Sequence, residues 1–178
     1  MNQTEGVLDL SDRDLGIFRW FCEKAVGLGN PLASVGIEDV TPDDGLPPIG
    51  GIEFGQSIIA LIDRDYLQRS GWRHYAITLT GFETYARAYI TDYLDKEEAV
   101  KDAVATVDRT DTDDIVATTG ETRYLVNHVL RLLQRGREIG AFVSESDKVY
   151  VTRVSSAFKQ AQGSRTLTPT LSQRERGK

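Results

Sequence analysis

One short stretch of the chain carries side chains suited to contacting nucleic acid. Its polar and basic residues share one side of a predicted helix, and that side holds no acid: Arg123, Tyr124, Asn127, His128, Arg131 and Arg135. Arginine pairs bidentately with guanine and asparagine with adenine, whereas tyrosine and histidine bond phosphate oxygens or stack on bases. These residue types therefore predict contact with duplex DNA.

A helix pair and a strand pair must position these side chains. The sequence predicts a short helix, a glycine turn, a long helix and two strands, in the order 115–118, 119–120, 122–137, 141–144 and 148–154. Thr112-Asp113-Asp114 is expected to cap the short helix. The apolar side of the long helix is predicted to be buried, because its members fall in one helical sector: Val126, Val129, Leu130 and Leu133.

The segment DIVATTGETRYLVNHVLRLLQ (114–134) resembles the helix-turn-helix of the winged-helix superfamily. The resemblance implies that the long helix is a recognition helix and that the strand pair is a wing, with Lys148 and Arg153 near the DNA backbone. The plainer alternatives are that this polar face is only solvated, that Tyr124 packs at the junction between modules, and that His128 is a structural surface residue.

Residues 12–90 resemble the same superfamily less closely, in the order helix, loop, helix, strand pair, helix. They depart from it in the proline- and glycine-rich loop 41–51. A helix over 53–68 is predicted to bury Phe54, Ile58, Leu61, Ile62 and Tyr66, and to expose Glu53, Gln56, Ser57, Ala60, Asp63 and Arg64. Two acids against one arginine suit a polyanion poorly, so a partner-binding or dimerising role is expected here.

The strand pair of this first module carries Arg69, Trp72, Arg73 and His74, which are able to touch a phosphate backbone. The favoured interpretation of Trp72 is nevertheless a core or hairpin-packing residue rather than a stacking one.

Charge is divided unevenly along the chain, whose net charge is -6. Residues 1–90 hold 7 Lys/Arg and 13 Asp/Glu, and residues 91–114 hold 3 and 9, so each segment carries -6. Residues 115–163 hold 7 Lys/Arg and 4 Asp/Glu, and residues 164–178 hold 4 and 1, so each carries +3. The positive charge thus coincides with the predicted DNA-contacting helix.

Catalysis is not expected. The two histidines, His74 and His128, lie in separate modules, and Cys22 sits on an apolar helical stripe typical of a buried small residue. The acids Asp108, Asp111, Asp113 and Asp114 lack the spacing of a calcium loop and are interpreted as capping and solubilising. The sequence predicts no enzyme, no cofactor and no metal site.

The predicted fold class is α+β and mainly helical, with two tandem winged-helix modules, three-helix cores and β-hairpin wings. The expected divisions are 1–92, 93–162 and a disordered tail over 163–178, which resembles translated interspersed repeats of bacterial reading frames. The polar N-terminus is unlike a signal peptide and no membrane association is expected, so a cytoplasmic location is predicted. The predicted function is DNA binding in transcription regulation. The alternative is a protein-interaction or assembly module, with a protein partner or self-association through the first module.

Overall fold

The computed structural model describes residues 10–166. Over these residues the chain folds as an α+β protein with two antiparallel three-stranded sheets. Its helices are α1 Asp12–Gly27, α2 Ile52–Asp63, α3 Leu79–Tyr89, α4 Tyr93–Ala105, α5 Thr112–Thr119, α6 Arg123–Arg135 and α7 Ser156–Thr166. Its strands are β1 Ser34–Gly36, β2 Leu67–Gly71, β3 His74–Ile77, β4 Thr110–Asp111, β5 Ile139–Val143 and β6 Val149–Val154. Within residues 10–166, no helix has the length and apolarity that a membrane crossing requires.

The N-terminal half comprises α1 to α3 with the sheet β1-β3-β2. Ser11 begins α1, because its hydroxyl accepts a hydrogen bond from the free backbone N–H of Asp14. Thr78 begins α3 in the same way, with its hydroxyl 2.9 Å from the N–H of Gly81. A Cβ at position 81 would lie 2.3 Å from the carbonyl oxygen of Tyr66, so only glycine allows α3 to begin this close to the preceding chain.

The C-terminal half comprises α4 to α7 with the sheet β4-β6-β5. Asp111 begins α5 by accepting hydrogen bonds from the N–H groups of Asp113 and Asp114. Gly120 ends α5 at a φ of +72°, a left-handed conformation that favours glycine and that turns the chain into α6.

Each half has its own hydrophobic cluster, and α6 contributes to both. Leu125 packs with the aromatic-rich cluster of the N-terminal half, to which α1 contributes more residues than any other element. One residue further along, Val126 packs with the aliphatic cluster of the C-terminal half, as does Val129. The halves are therefore joined through α6, which has a different cluster on each of two sides.

Several predicted boundaries were wrong. The helix predicted over 53–68 ends at Asp63, because the chain turns there and Leu67 begins β2. The cap of α5 is Asp111 rather than Thr112-Asp113-Asp114, and Thr112 is instead fully buried. The strands β1 and β4 were not predicted, since two or three residues carry no period-2 signal. The final helix runs into the predicted tail as far as Thr166, and the rest of that tail lies outside the described residues.

Candidate interaction surfaces

The polar side of α6 faces α3 of the N-terminal half. The ring of Phe82 lies 4.6 Å from that of His128 and 6.2 Å from that of Tyr124, both at steep angles. His128 is 0% exposed, and Tyr124 packs against the N-terminal cluster. Aromatic pairs in this edge-to-face geometry are stabilising, so this part of α6 is occupied by the protein itself.

His128 belongs to a polar cluster centred on Glu83 of α3. Its Nε2 lies 2.9 Å from a carboxylate oxygen of Glu83, which also accepts from the hydroxyl of Tyr93, while Arg87 bonds the other oxygen. Burial opposes ionisation of Glu83, but the hydrogen bonds from His128, Tyr93 and Arg87 outweigh it and lower its pKa to about 2. Burial and the same carboxylate raise the pKa of Tyr93. The cluster holds a charged carboxylate where the two halves meet.

Asn127 is 2% exposed and bonds only within the protein. Its Oδ1 accepts from the hydroxyl of Thr112 at 2.6 Å, and its Nδ2 donates to the carbonyl of Asp147 at 2.9 Å. The side chain of Asp147 in turn accepts from Asn30 of the N-terminal half at 2.6 Å and lies 3.5 Å from Arg131. The turn of the β5–β6 hairpin is therefore tied both to α6 and to the other half.

Two of the remaining predicted cations are paired with acids. Lys148 lies 2.7 Å from Asp111 and 2.8 Å from Asp113, and Arg123 also contacts Asp113. The hydrogen bonds that Lys148 donates to Asp111 and Asp113 raise the pKa of Lys148. Because each cation already faces a carboxylate, a phosphate would have to displace that partner in order to bind.

The sequence-predicted DNA-contacting residues do not form one exposed face, and that expectation was wrong for Asn127 and His128. The structure leaves Arg135 and Arg153 exposed, with Arg135 3.4 Å from the hydroxyl of Thr80. Tyr124 and Arg131 are half-buried at the junction of the halves. The prediction failed because Phe82 and Glu83, which cover this side of α6, lie about 45 residues earlier in the sequence. The local periodicity of α6 contains no information about such distant partners.

Helix α2 precedes the β2–β3 hairpin of the N-terminal half, as α6 precedes the β5–β6 hairpin of the other half. In contrast to α6, its outward side is apolar. Ile52 is 80% exposed, Ile59 60% and Ile62 36%. Gly55 lies among them, and a Cβ there would meet no atom within 4 Å. The predicted burial of Ile62 and exposure of Ser57 were both wrong, since Ser57 is fully buried and accepts a hydrogen bond from Arg13 at 3.0 Å.

The sequence did contain a signal for this surface. The twelve residues of α2 include more large apolar side chains than one buried stripe accommodates: Ile52, Phe54, Ile58, Ile59, Leu61 and Ile62. A helix that is apolar on more than one side is usually buried on more than one side. Three of those side chains meet the core, and the others are left on the outside.

The segment of the chain that contains this apolar surface is acidic. Residues 25–63 contain six acids and no lysine or arginine. The acids are Glu38, Asp39, Asp43, Asp44, Glu53 and Asp63. The loop that leads into α2 forms a groove of about 320 Å³ lined mainly by Val40, Leu46, Ile49 and the prolines. The surface thus combines exposed apolar groups with negative charge.

The β2–β3 hairpin carries a third exposed feature. Trp72 is 88% exposed, so the interpretation of it as a packing residue was wrong. Arg69 and Arg73 beside it are also exposed, whereas His74 is half-buried, with its Nε2 3.3 Å from Glu38. The hairpin therefore presents one aromatic ring between two cations.

Three of the acids of 108–114 serve as a cap or as ion-pair partners: Asp111 caps α5 and pairs with Lys148, Asp113 pairs with Lys148 and Arg123, and Asp108 contacts Lys159 at 2.6 Å. Cys22 is buried, and burial raises the pKa of its thiol, which disfavours the nucleophilic thiolate. Over the part of the chain that the structure describes, no three His, Cys, Asp or Glu side chains gather as a metal site would need.

Comparison of the chain with known protein families, with curated proteins and with solved structures found no match.

Proposed function

We propose that this chain is a non-catalytic protein-interaction module, made of two tandem winged-helix units, that forms part of a larger assembly. Each half has a helix followed directly by a strand pair, α2 in the first and α6 in the second. In helix-turn-helix proteins, a helix in the corresponding position is the usual contact element. The two halves use it differently.

The observation that carries the proposal is the exposed apolar face of α2 in a segment without cations. Ile52 and Ile59 are mostly exposed, although isoleucine is among the residues most often buried. Grouped exposed apolar side chains rimmed by polar ones are typical of protein interfaces. The acids of this segment disfavour a polyanion, because phosphate binding depends on cations that release counterions.

The polar face of α6 gives a second argument for the proposal. Its polar residues are engaged by Phe82, Glu83 and Asp147, so its contact surface holds the two halves together. In this account the second unit acts as a fixed support, and the first unit meets the partner.

Affinity purification with a matched pair of variants tests this function. We expect the tagged chain to retain a protein at fixed stoichiometry from nuclease-treated extract of its source cells. Ile59→Asp should abolish that retention, because it places a charge in the apolar face. Leu94→Asp on α4 is the control, since Leu94 has a similar exposure of 55% on another surface. Retention that needs nucleic acid, or that both variants preserve, would contradict the proposal.

Contact with duplex DNA is the second candidate function, and the β2–β3 hairpin favours it. Trp72 is 88% exposed between the exposed cations Arg69 and Arg73. An anisotropy titration on duplex DNA at about 50 mM salt tests it, because affinity that depends on phosphate contacts is strongest at low salt. Loss of binding in Arg69→Ala/Arg73→Ala would support the hairpin, and loss in Arg131→Ala/Arg135→Ala would support the sequence-predicted face.

A further inference from the structure

The exposed residues of α2 form a continuous stripe with the spacing of a helix-binding surface. Ile52, Gly55, Ile59 and Ile62 are separated by three, four and three positions. At 3.6 residues per turn they fall within a sector of about 80°. Gly55 leaves open space between the larger side chains, since no atom lies within 4 Å of a Cβ placed there. The stripe therefore has projecting isoleucines and a recess among them.

The polar border of the stripe is negative. Asp63, Gln56 and Glu53 follow one another along one side of the helix, turning away from Ile52. The preceding loop also contains the exposed acids Asp39 and Asp43, and no lysine or arginine occurs over 25–63. The cations at α2, Arg64 at its end and Arg13 beside Ser57, lie further round the helix from the stripe than Glu53 does. An occupant of this surface must bury apolar groups against the stripe and face carboxylates at its edge.

We propose that the α2 stripe binds a cationic amphipathic helix of a protein partner. This inference rests on the proposed protein-interaction function and names the class of partner for that surface. A helix with apolar residues at i, i+3 or i+4 and i+7 matches the spacing of the stripe. Lysine or arginine beside its apolar face meets the acidic border.

Charge complementarity decides between this occupant and a second copy of the chain. Two copies packed through α2 would bring two cation-free acidic segments together, and like charges across an interface are unfavourable. A cationic helix has the opposite charge on the same apolar footprint. The predicted self-association through the first module is therefore the less favoured arrangement.

The apolar area that one isoleucine buries determines how much its removal should weaken peptide binding. Burying an exposed isoleucine corresponds to roughly a 10- to 100-fold change in affinity. Ile59 is near the centre of the stripe and is more exposed than Ile62. We therefore expect Ile59→Ser to weaken binding by at least about tenfold.

Two synthetic helices test the inference with the full chain. The first has leucines on one face and lysines on the other, and the second has the same leucine face with glutamates. Fluorescence anisotropy gives both dissociation constants for the wild type, Ile59→Ser, Gly55→Leu and the control Leu94→Ser. Hydrogen exchange with the bound peptide locates the contact.

We expect the leucine–lysine helix to bind at least about tenfold more tightly than the leucine–glutamate helix and to protect residues 51–63. Ile59→Ser and Gly55→Leu should weaken that binding, whereas Leu94→Ser should not. The inference would be overturned by equal affinity for both peptides, or by binding that is unchanged in Ile59→Ser and Gly55→Leu. Dimerisation through α2, measured by analytical ultracentrifugation, would also overturn it.

The outcomes distinguish this inference from the proposed function. If Ile59→Asp abolishes capture of a protein partner but the peptides show no charge preference, the function stands and the partner class is wrong. If no protein is retained without nucleic acid, the function itself fails, whatever the peptides do.

Discussion

Helices α2 and α6 each directly precede the β-hairpin of their half. The sides that they turn away from the core of their own half nevertheless differ in both composition and exposure. The outward side of α6 is polar and basic in sequence, but its central residues Asn127 and His128 are buried. The outward side of α2 is apolar, but Ile52 and Ile59 are exposed. Residue type alone therefore did not indicate which helix has an exposed side, because the exposure depends on the elements that pack over each helix.

The difference has a chemical basis in how each side is satisfied. The polar groups of α6 find hydrogen-bond partners within the chain, among them Glu83, Thr112 and the carbonyl of Asp147. Buried polar groups that are hydrogen-bonded are tolerated and help to specify one arrangement. Nδ1 of His128 and Nε of Arg131 are buried without such a partner among the described residues. Ile52 and Ile59 of α2 are instead mostly exposed, and this exposure is the basis of the proposed protein contact.

The largest expected effect is on stability, from removing the histidine between the halves. His128→Ala leaves the carboxylate of Glu83 without one partner and opens a cavity against Phe82. We expect the free energy of unfolding to fall by about 3 kcal/mol, as for other losses of buried partners. Urea denaturation measures it, with exposed Arg153→Ala as the control. A fall as small as that of the control would mean that the α6 face is not buried.

Asn127 provides the next test of the same face. Asn127→Ala removes both hydrogen bonds, so the carbonyl of Asp147 loses this donor and the hydroxyl of Thr112 keeps only its contacts with the backbone of Val149. The expected loss is about 2 kcal/mol of unfolding free energy. Thr112→Val and the double variant complete a thermodynamic cycle. If the two single losses simply add, the contact between these side chains contributes nothing.

A dependence on pH is expected from Glu83. Its pKa is about 2 in the folded protein and 4.5 ordinarily, so its contribution is fully present above the ordinary pKa and is lost as pH falls from 4.5 towards 2. Because the carboxylate is only half-buried, solvent screening reduces the contribution to roughly 1–2 kcal/mol. Urea titrations at neutral and acidic pH should show Glu83→Gln less stable than the wild type at neutral pH, with the gap closing in acid. A gap that stays constant with pH would exclude this role for Glu83.

The smallest effects are expected on α2. Ile59→Ser should change the unfolding free energy by less than about 0.5 kcal/mol, since exposed substitutions rarely do more. Gly55→Ala should stabilise the chain by about 0.5–1 kcal/mol, because alanine favours a helix and its Cβ has space. Thermal unfolding measures both. A large loss in either variant would show that the α2 face is already covered.

Local patterns predicted most of the elements but not the surfaces. The turn at Gly120 and the apolar side of α6 follow from neighbouring residues, and both predictions were confirmed. The partners of His128 and Asn30 come from the other half of the chain, and no short-range pattern encodes them. The α2 face was misassigned because two isoleucines in succession allow two orientations of the helix.

The two histidines test the central claim most directly, because one lies in each half. His128 is fully buried beneath α3, whereas about 43% of the His74 side chain is exposed. Treatment of the native protein with diethyl pyrocarbonate, followed by peptide mass spectrometry, reports each histidine separately. We expect His74 to be modified and His128 to remain unmodified until the protein is unfolded. Modification of His128 in the native protein at a rate comparable to that of His74 would contradict the account.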